Sequence, residues 1–219
     1  NNLALLDDYI ANVVAIINER NVSLCVILGD LLHTHEKLHT MVLNKAVSLV
    51  SRVSGKCQTV VLVGNHDMIN NSQFLSENHW MNTLKVIPNV QVVDKGLAMN
   101  TPIGVLCFAP YVYPGRFEEA LDTIYKDWKS CRMVFAHQEI KGCKMGAIVS
   151  EEGDVWREEY PYLVSGHIHD KQRLAPNMYY PGSSIQHAFG ESRDKTVSLW
   201  FDSPAGIQHE DLSLRLRGK

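Results

Sequence analysis

The segment Val22–His35, VSLCVILGDLLHTH, is an apolar run that stops at a glycine and an aspartate and is followed by two histidines. A continuous apolar run of this length, rich in β-branched residues, reads as a strand buried on both faces. Such a strand normally ends in a turn whose polar residues are whatever solvent tolerates. Here they are Asp30, His33 and His35, residue types that ligate cations. The meaning of that ending depends on the rest of the chain.

Three more apolar runs end in the same manner. Gln58–Val63 enters GNHD at 64–67, CRMVFA enters His137 of FAHQE, and YLVS enters GHIH at 166–169. Apolar spacing predicts helices over 3–20, 38–53 and 116–129. Further strand signals fall at 84–87, 90–94, 103–109, 171–175, 177–181 and 196–202. Apolar strands alternating with helices describe an α/β protein whose sheet is covered on both faces. No linker, repeat or low-complexity tract interrupts 1–219, which reads as one domain. In open α/β sheets ligands bind beyond the carboxyl ends of the strands. Four separate strands thus bring Asp30, Asn65-His66, His137 and His167/His169 to one edge.

The bulk numbers fit this reading. The 219 residues are 45% apolar and 21% charged, the composition of an ordinary globular protein. No apolar run approaches the ~20 residues of a membrane span, so no membrane role is expected. A net charge of -3 argues against the broad basic face of a constitutive nucleic-acid binder, but not against an enzyme that meets phosphates through metal ions. Five cysteines without a CxxC pair read as buried reduced thiols, which suggests an intracellular protein, cytoplasmic or nuclear and not secreted.

Each motif alone is weak, since an Asp after a strand is usually a turn residue and a buried His is usually a hydrogen-bonded core residue. The ordered set GD, GNHD, H and GHxH is far more specific. Imidazole suits Mn, Fe, Zn and Ni, and carboxylate and amide oxygens favour harder ions such as Mn. A bridging carboxylate holds two cations ~3.5–4 Å apart, and such a pair lowers the pKa of a shared water and neutralises phosphoryl oxygens.

These residues resemble the calcineurin-like metallophosphoesterase superfamily, and within it the SbcD-type DNA-repair nucleases. GDLLH places His33 where many phosphatases carry an Asp, and FAPYVYPGRF, GHIHDKQRL and YYPGSSIQHAFGE are similar to segments of that branch. The resemblance implies a β-sandwich flanked by helices, four layers αββα. It implies two divalent ions, Mn first, with Fe, Zn or Ni as alternatives. Asp30 would bridge them, Asn65, His137 and His167 would complete one site, and His169 would serve the other. His66 would contact the scissile phosphate, Asp67 would orient His66, and His33 would position substrate. His187 and Tyr111 are assigned to substrate binding at the cleft, where Tyr111 would stack a base, with core packing as the plainer reading of Tyr111. DNA is the expected substrate, and an SMC-like ATPase is the partner that the resemblance suggests.

Two departures from the family pattern stand out. No DxH motif precedes Asp30, and Asp7 and Asp8 lie on the first helix without the partner His, so a strand upstream of this chain is expected to supply it, with a naturally incomplete, one-metal site as the alternative. SbcD-type nucleases also continue into a DNA-capping domain and a partner-binding segment, so these residues read as a catalytic core or as a minimal relative that works differently.

The remaining candidates take plainer readings. His35, His39 and His209 read as surface residues, although His35 could reach the cleft, His79 and Trp80 as packing, and Lys141, Lys144, Lys171 and Arg173 as parts of a solvated mixed-charge face. The expected activity is metal-dependent hydrolysis of phosphodiesters, as a Mn-dependent DNA exo- or endonuclease. The alternatives are a phosphodiesterase or phosphatase for nucleotides and other small phosphoesters, and a non-catalytic scaffold on the same fold. The phosphoprotein-phosphatase branch is disfavoured because LLHTH follows Asp30 where that branch carries xVDRG. The GNH histidine, which scaffold members tend to lose, is present here. The sequence leaves oligomeric state open.

Overall fold

Buried strands alternate their side chains between two faces, and here each face meets a different layer. The computed structural model describes residues 2–35, 37–186, 195–214 and 216. In chain order the first half contains α1 (Asn2–Glu19), β1 (Leu24–Ile27), α2 (Thr40–Ser54), β2 (Gln58–Leu62), β3 (Val90–Val93), β4 (Leu97–Thr101) and β5 (Gly104–Phe108). Next come α3 (Phe117–Ile124), β6 (Met133–Ala136), β7 (Lys144–Met145) and β8 (Ile148–Val149). The chain closes with β9 (Tyr162–Ser165), β10 (Gln172–Ala175), β11 (Met178–Tyr180), β12 (Thr196–Ser203) and β13 (Gly206–Ser213).

β1, β2 and β3 form a parallel sheet in that order. The second sheet has the order β10-β11-β9-β6-β5-β4. Its centre is parallel, while β4 and β10 run antiparallel to their neighbours at the two edges. β12 and β13 pair as a hairpin, and so do β7 and β8.

The layers follow from side-chain alternation. Val60 and Leu62 of β2 face Leu106, Phe108, Met133, Phe135 and Val164 across the space between the sheets. Val61 and Val63 face the other way, toward Val50 of α2, Met68, Met81 and Leu84. From the second sheet Cys107, Val134, Ala136 and Leu163 point away from the first, onto Phe117, Ala120 and Leu121 of α3 and onto Trp128 and Trp156. α1 and α2 pack on each other through Ile10, Val13, Ile17, Leu49 and Val53. The result is helix, sheet, sheet, helix, the four layers that the resemblance implies. α3 starts where Asp154 Oδ1 accepts from the amides of Gly115 (3.0 Å) and Phe117 (3.3 Å), a cap supplied from a distant loop.

Several expectations need correction. The apolar run 84–87 is not a strand: Trp80–Val86 forms 3-10 turns that bury Met81 and Leu84, three apart, on one side. The helix expected over 116–129 stops at Ile124, because Tyr125 turns extended, and Trp128–Ser130 adds one separate turn. The strand of YLVSGHIH ends at Ser165, so both histidines lie in the turn beyond it. β13 was not expected, since its polar sequence hides a strand that pairs with β12. Its His209 is no surface residue, for its ring stacks on Trp200 and Tyr179 with centroids 4.4 Å away from each. The five cysteines form no disulfide, and four of them are buried. Among the described residues no helix is long and apolar enough to cross a membrane.

β1 is an edge strand of its sheet. All four of its residues are half-buried, whereas the last four of β2 are fully buried. Among the described residues no strand pairs with its outer side.

Candidate metal centre

The site is built where the carboxyl ends of β1, β2, β6 and β9 come together. Gly29 (φ +96°) and Asp30 (φ +52°) both adopt the left-handed backbone, and so does His167 (φ +78°). That conformation is uncommon for Asp and His and is kept where surrounding structure enforces it. The enforcing contacts are visible. Asp67 Oδ2 accepts from the Asp30 amide at 2.7 Å and from the Gly64 amide at 3.0 Å, and Asp30 Oδ1 accepts from the His66 amide at 2.9 Å. The GD and GNHD turns therefore touch, and Gly64 is required there: a Cβ would stand 2.2 Å from Asp30 Oδ1. The same loop cluster ties the two sheets, as the Tyr111 amide donates to Val63 O at 2.8 Å, and within the second sheet the Gly166 amide donates to Ala136 O at 2.9 Å.

Four side-chain atoms converge in this frame. His137 Nε2 lies 3.1 Å from Asp30 Oδ2 and 3.2 Å from Asn65 Oδ1. His167 Nδ1 lies 3.0 Å from the same Asn65 oxygen. Asp30, His137 and His167 offer ligand atoms that all lie within 4.8 Å of one another. His137 donates its Nδ1–H to Leu28 O at 2.5 Å, which turns the Nε2 lone pair toward the cluster. Burial opposes a charge on Asp30, but His137 beside it and the His66 amide outweigh burial and bring the carboxyl down to about 2. Burial and the neighbouring His137 hold His167 down at about 3, so at neutral pH it keeps a free lone pair. For His137 burial is outweighed by Asp30, which raises its pKa. Two carbonyl-type oxygens and two imidazole nitrogens facing inward are mutually repulsive acceptors unless a cation or a proton stands among them. This donor chemistry fits a divalent ion that takes imidazole and carboxylate together.

Around this cluster the other expected residues take varied places. His66 is half-buried at the mouth, with its ring centroid 4.8 Å from that of His33 and 5.0 Å from that of His35. Burial pulls His66 below its usual pKa, against the opposing pull of Asp30. His33 is exposed. His35 is half-buried rather than a surface residue, and its Nδ1 sits 3.1 Å from Met68 O. His169 is exposed and stands outside the converging cluster.

Two residues differ from expectation. Asp67 does not touch the His66 imidazole. Its carboxylate takes the two backbone amides named above, Trp80 Nε1 at 2.9 Å and, more loosely, the Leu32 amide at 3.5 Å. Among the described residues, the buried His66 Nδ1 has no hydrogen-bond partner. Asp67 thus braces the turns, and His66 is held by neighbouring rings. Tyr111 is only 6% exposed, and its ring is taken up by His167 (5.8 Å, stacked) and His137 (6.3 Å, edge-on), so a base has no face to stack on. His187 lies outside the described residues.

Trp80 and Glu139 belong to the site although sequence reasoning left them aside. Trp80 supplies the indole N–H to Asp67, and its neighbour His79 is buried with Nε2 3.0 Å from Asp94 Oδ2. Glu139 Oε2 comes 3.8 Å from His167 Nε2. Its place two residues after His137 was the available signal.

Comparison with known proteins agrees with this geometry. The family model for calcineurin-like phosphoesterases matches residues 4–171. A candidate phosphoesterase of Invertebrate iridescent virus 6 (244L) is 48% identical over 200 residues, covering 91% of this chain and 71% of that one. A second, of Invertebrate iridescent virus 3 (078R), is 42% identical over 217 residues, covering 98% of this chain and 62% of that one. The chain thus spans about two thirds of the length of these relatives. With the family match running through all four strand-end motifs, the chain belongs to the calcineurin-like phosphoesterases, a family of metal-dependent phosphoester hydrolases.

Proposed function

We propose that this chain is the catalytic core of a Mn-dependent nuclease of the SbcD type, cleaving the phosphodiester backbone of DNA. The observation that carries the reading is the row of imidazoles at the mouth of the donor cluster. His33, in the place that many phosphatases give to an Asp, has its ring beside His66. A diester phosphate carries one negative charge and a poor leaving oxygen, so hydrogen-bond donors placed at its oxygens suit it. When bound, divalent ions supply an activated water and neutralise the phosphoryl oxygens. Asp30, Asn65, His137 and His167 would hold one such ion. His66 would donate to the phosphoryl or leaving oxygen as charge develops there. His33, exposed beside it, would fix the phosphate on the outer side.

A second ion would be shared by Asp30 and served by His169. The outer edge of β1, which no strand among the described residues pairs, supports a further strand at that position, and the family pattern would supply a DxH motif on it. By the same resemblance the whole protein would work in the cell interior, with an SMC-like ATPase as partner.

The test is degradation of end-labelled single-stranded and duplex DNA with Mn, compared with a His66→Ala variant. Mn-dependent cleavage that the variant abolishes supports the nuclease. Intact DNA beside rapid hydrolysis of a small diester or monoester moves the substrate to nucleotides or other small phosphoesters. Inertness toward all of them, in protein that includes a DxH-bearing strand, moves the chain to a scaffold role.

A further inference from the structure

Glu139 faces the side of His167 that the donor cluster does not use. His167 turns Nδ1 inward, 3.0 Å from Asn65 Oδ1, and turns Nε2 outward, 3.8 Å from Glu139 Oε2. The carboxylate is itself tethered. Its Oε1 accepts from Ser150 Oγ at 2.5 Å, and Ser150 Oγ accepts from the Gly153 amide at 3.1 Å. Ser150 is buried, and the Glu139 carbonyl accepts from the Asp154 amide at 3.0 Å. Glu139 is therefore fixed at both its backbone and its head, and only Oε2 is left to face the imidazole.

A neutral imidazole has one N–H and one lone pair, and its surroundings decide which nitrogen carries which. An acceptor at Nε2 keeps the proton there and leaves the Nδ1 lone pair for a cation. His137 shows the mirror arrangement, with Nδ1–H on Leu28 O and Nε2 inward. One histidine is thus fixed by a backbone carbonyl and the other faces a carboxylate. The carboxylate adds a second negative charge near the ion, beside that of Asp30. Partners of this kind in the outer shell change metal affinity by about 10–100-fold.

We infer that Glu139 is the positioning residue for His167, fixing its tautomer and orientation and so setting the affinity of the site for a divalent ion. Ser150 and the turn after β8 act through it. The inference rests on the reading of Asp30, Asn65, His137 and His167 as a cation site.

The test combines two readouts. The first is Mn binding by titration calorimetry for wild type, Glu139→Ala, Glu139→Gln and Ser150→Ala. Glu139→Ala is expected to weaken binding about 10–100-fold. Glu139→Gln, which can turn its amide oxygen toward Nε2 and its NH2 toward Ser150 Oγ, should stay within a few fold of wild type, and Ser150→Ala should fall between Glu139→Gln and Glu139→Ala. The second readout is the His167 tautomer in metal-free protein, from long-range proton–nitrogen NMR. Wild type and Glu139→Gln should show a single Nε2–H form, and Glu139→Ala a mixture. A Glu139→Ala protein that melts lower but binds Mn as wild type does, with an unchanged tautomer, overturns the inference. If Glu139→Ala fails to fold, Glu139→Gln and Ser150→Ala decide: a single Nε2–H form and near-wild-type affinity in Glu139→Gln, with weaker binding in Ser150→Ala, support the inference. A mixed tautomer in Glu139→Gln, or wild-type affinity in Ser150→Ala, overturns it. Absence of Mn binding by wild type overturns both the inference and the cation site beneath it.

Discussion

Replacing Asp67 by Asn separates its two candidate roles. In the structure the carboxylate is a clamp: Oδ2 takes the amides of Asp30 and Gly64, and Oδ1 takes Trp80 Nε1. An amide has one oxygen where the carboxylate has two, so one side of the clamp must face N–H with NH2. The cheaper choice keeps the two backbone amides and gives up the indole, a hydrogen bond to a charged group contributing about 1.5–3 kcal/mol. The two retained bonds lose their charge assistance, roughly half of their strength. Burial and the nearby Asp30 already push the Asp67 carboxyl up, so removing its charge returns part of that loss. The balance is a destabilisation of about 3 kcal/mol, which in a chain of this size lowers the melting midpoint by roughly 6–12 °C. Because the same clamp holds Asp30 in its left-handed turn, Mn affinity should fall with stability. Thermal melts and calorimetric Mn titration of Asp67→Asn check this. An unchanged midpoint and unchanged Mn affinity, with turnover alone reduced, would refute the clamp and restore Asp67 as the partner of His66.

Other consequences are sharper in kind. Gly64→Ala drives a Cβ into the Asp30 carboxylate and its amide, at 2.2 and 2.5 Å, and should abolish Mn binding while destabilising the fold by about 1–3 kcal/mol. Calorimetry and chemical denaturation measure both, and retained Mn affinity would mean that the two turns do not abut. His35→Ala removes one of the two rings against His66 and should lower kcat on a chromogenic diester about tenfold, less than the ~10²-fold that a 1 Å misplacement costs, at unchanged Mn affinity. Wild-type kcat would show that His66 needs no ring on that side. Phe108→Ala empties the space between the sheets, where Phe108 is fully buried and stacks on Phe135 at 5.3 Å, and should cost about 3–5 kcal/mol in urea denaturation. A loss under about 1 kcal/mol would contradict the two-sheet core.

The parts of this molecule that show in its sequence are those where one residue's chemistry suffices. β2, β6 and β9 are buried on both faces, so their apolar runs stand out, and the polar clusters that end them are visible as interruptions. The four donors could be named because their types are rare at such endings. Partnership is less visible. Asp67 sits beside His66 in the chain, yet its carboxylate points at backbone amides, and no residue type announces a backbone amide as a partner. Glu139 follows His137 by two residues, but a Glu in a mixed-charge stretch looks like solvated surface until the chain returns with His167. β13 escaped notice because its polar residues point into a network: Asp211 takes Ser198 Oγ at 2.6 Å and Tyr179 OH at 2.7 Å. The run at 84–87 misled for the opposite reason, since a short apolar stretch satisfies a strand and a tight helical turn equally well.

The most direct measurement is hydrolysis of a chromogenic phosphodiester by chelator-treated protein before and after Mn is restored, for wild type and for Asn65→Ala. Activity lost on chelation, regained with Mn in wild type and not regained in Asn65→Ala is the result expected if the four strand-end residues form a metal-dependent phosphoesterase centre. Activity that survives chelation, or that Asn65→Ala regains in full, would contradict it.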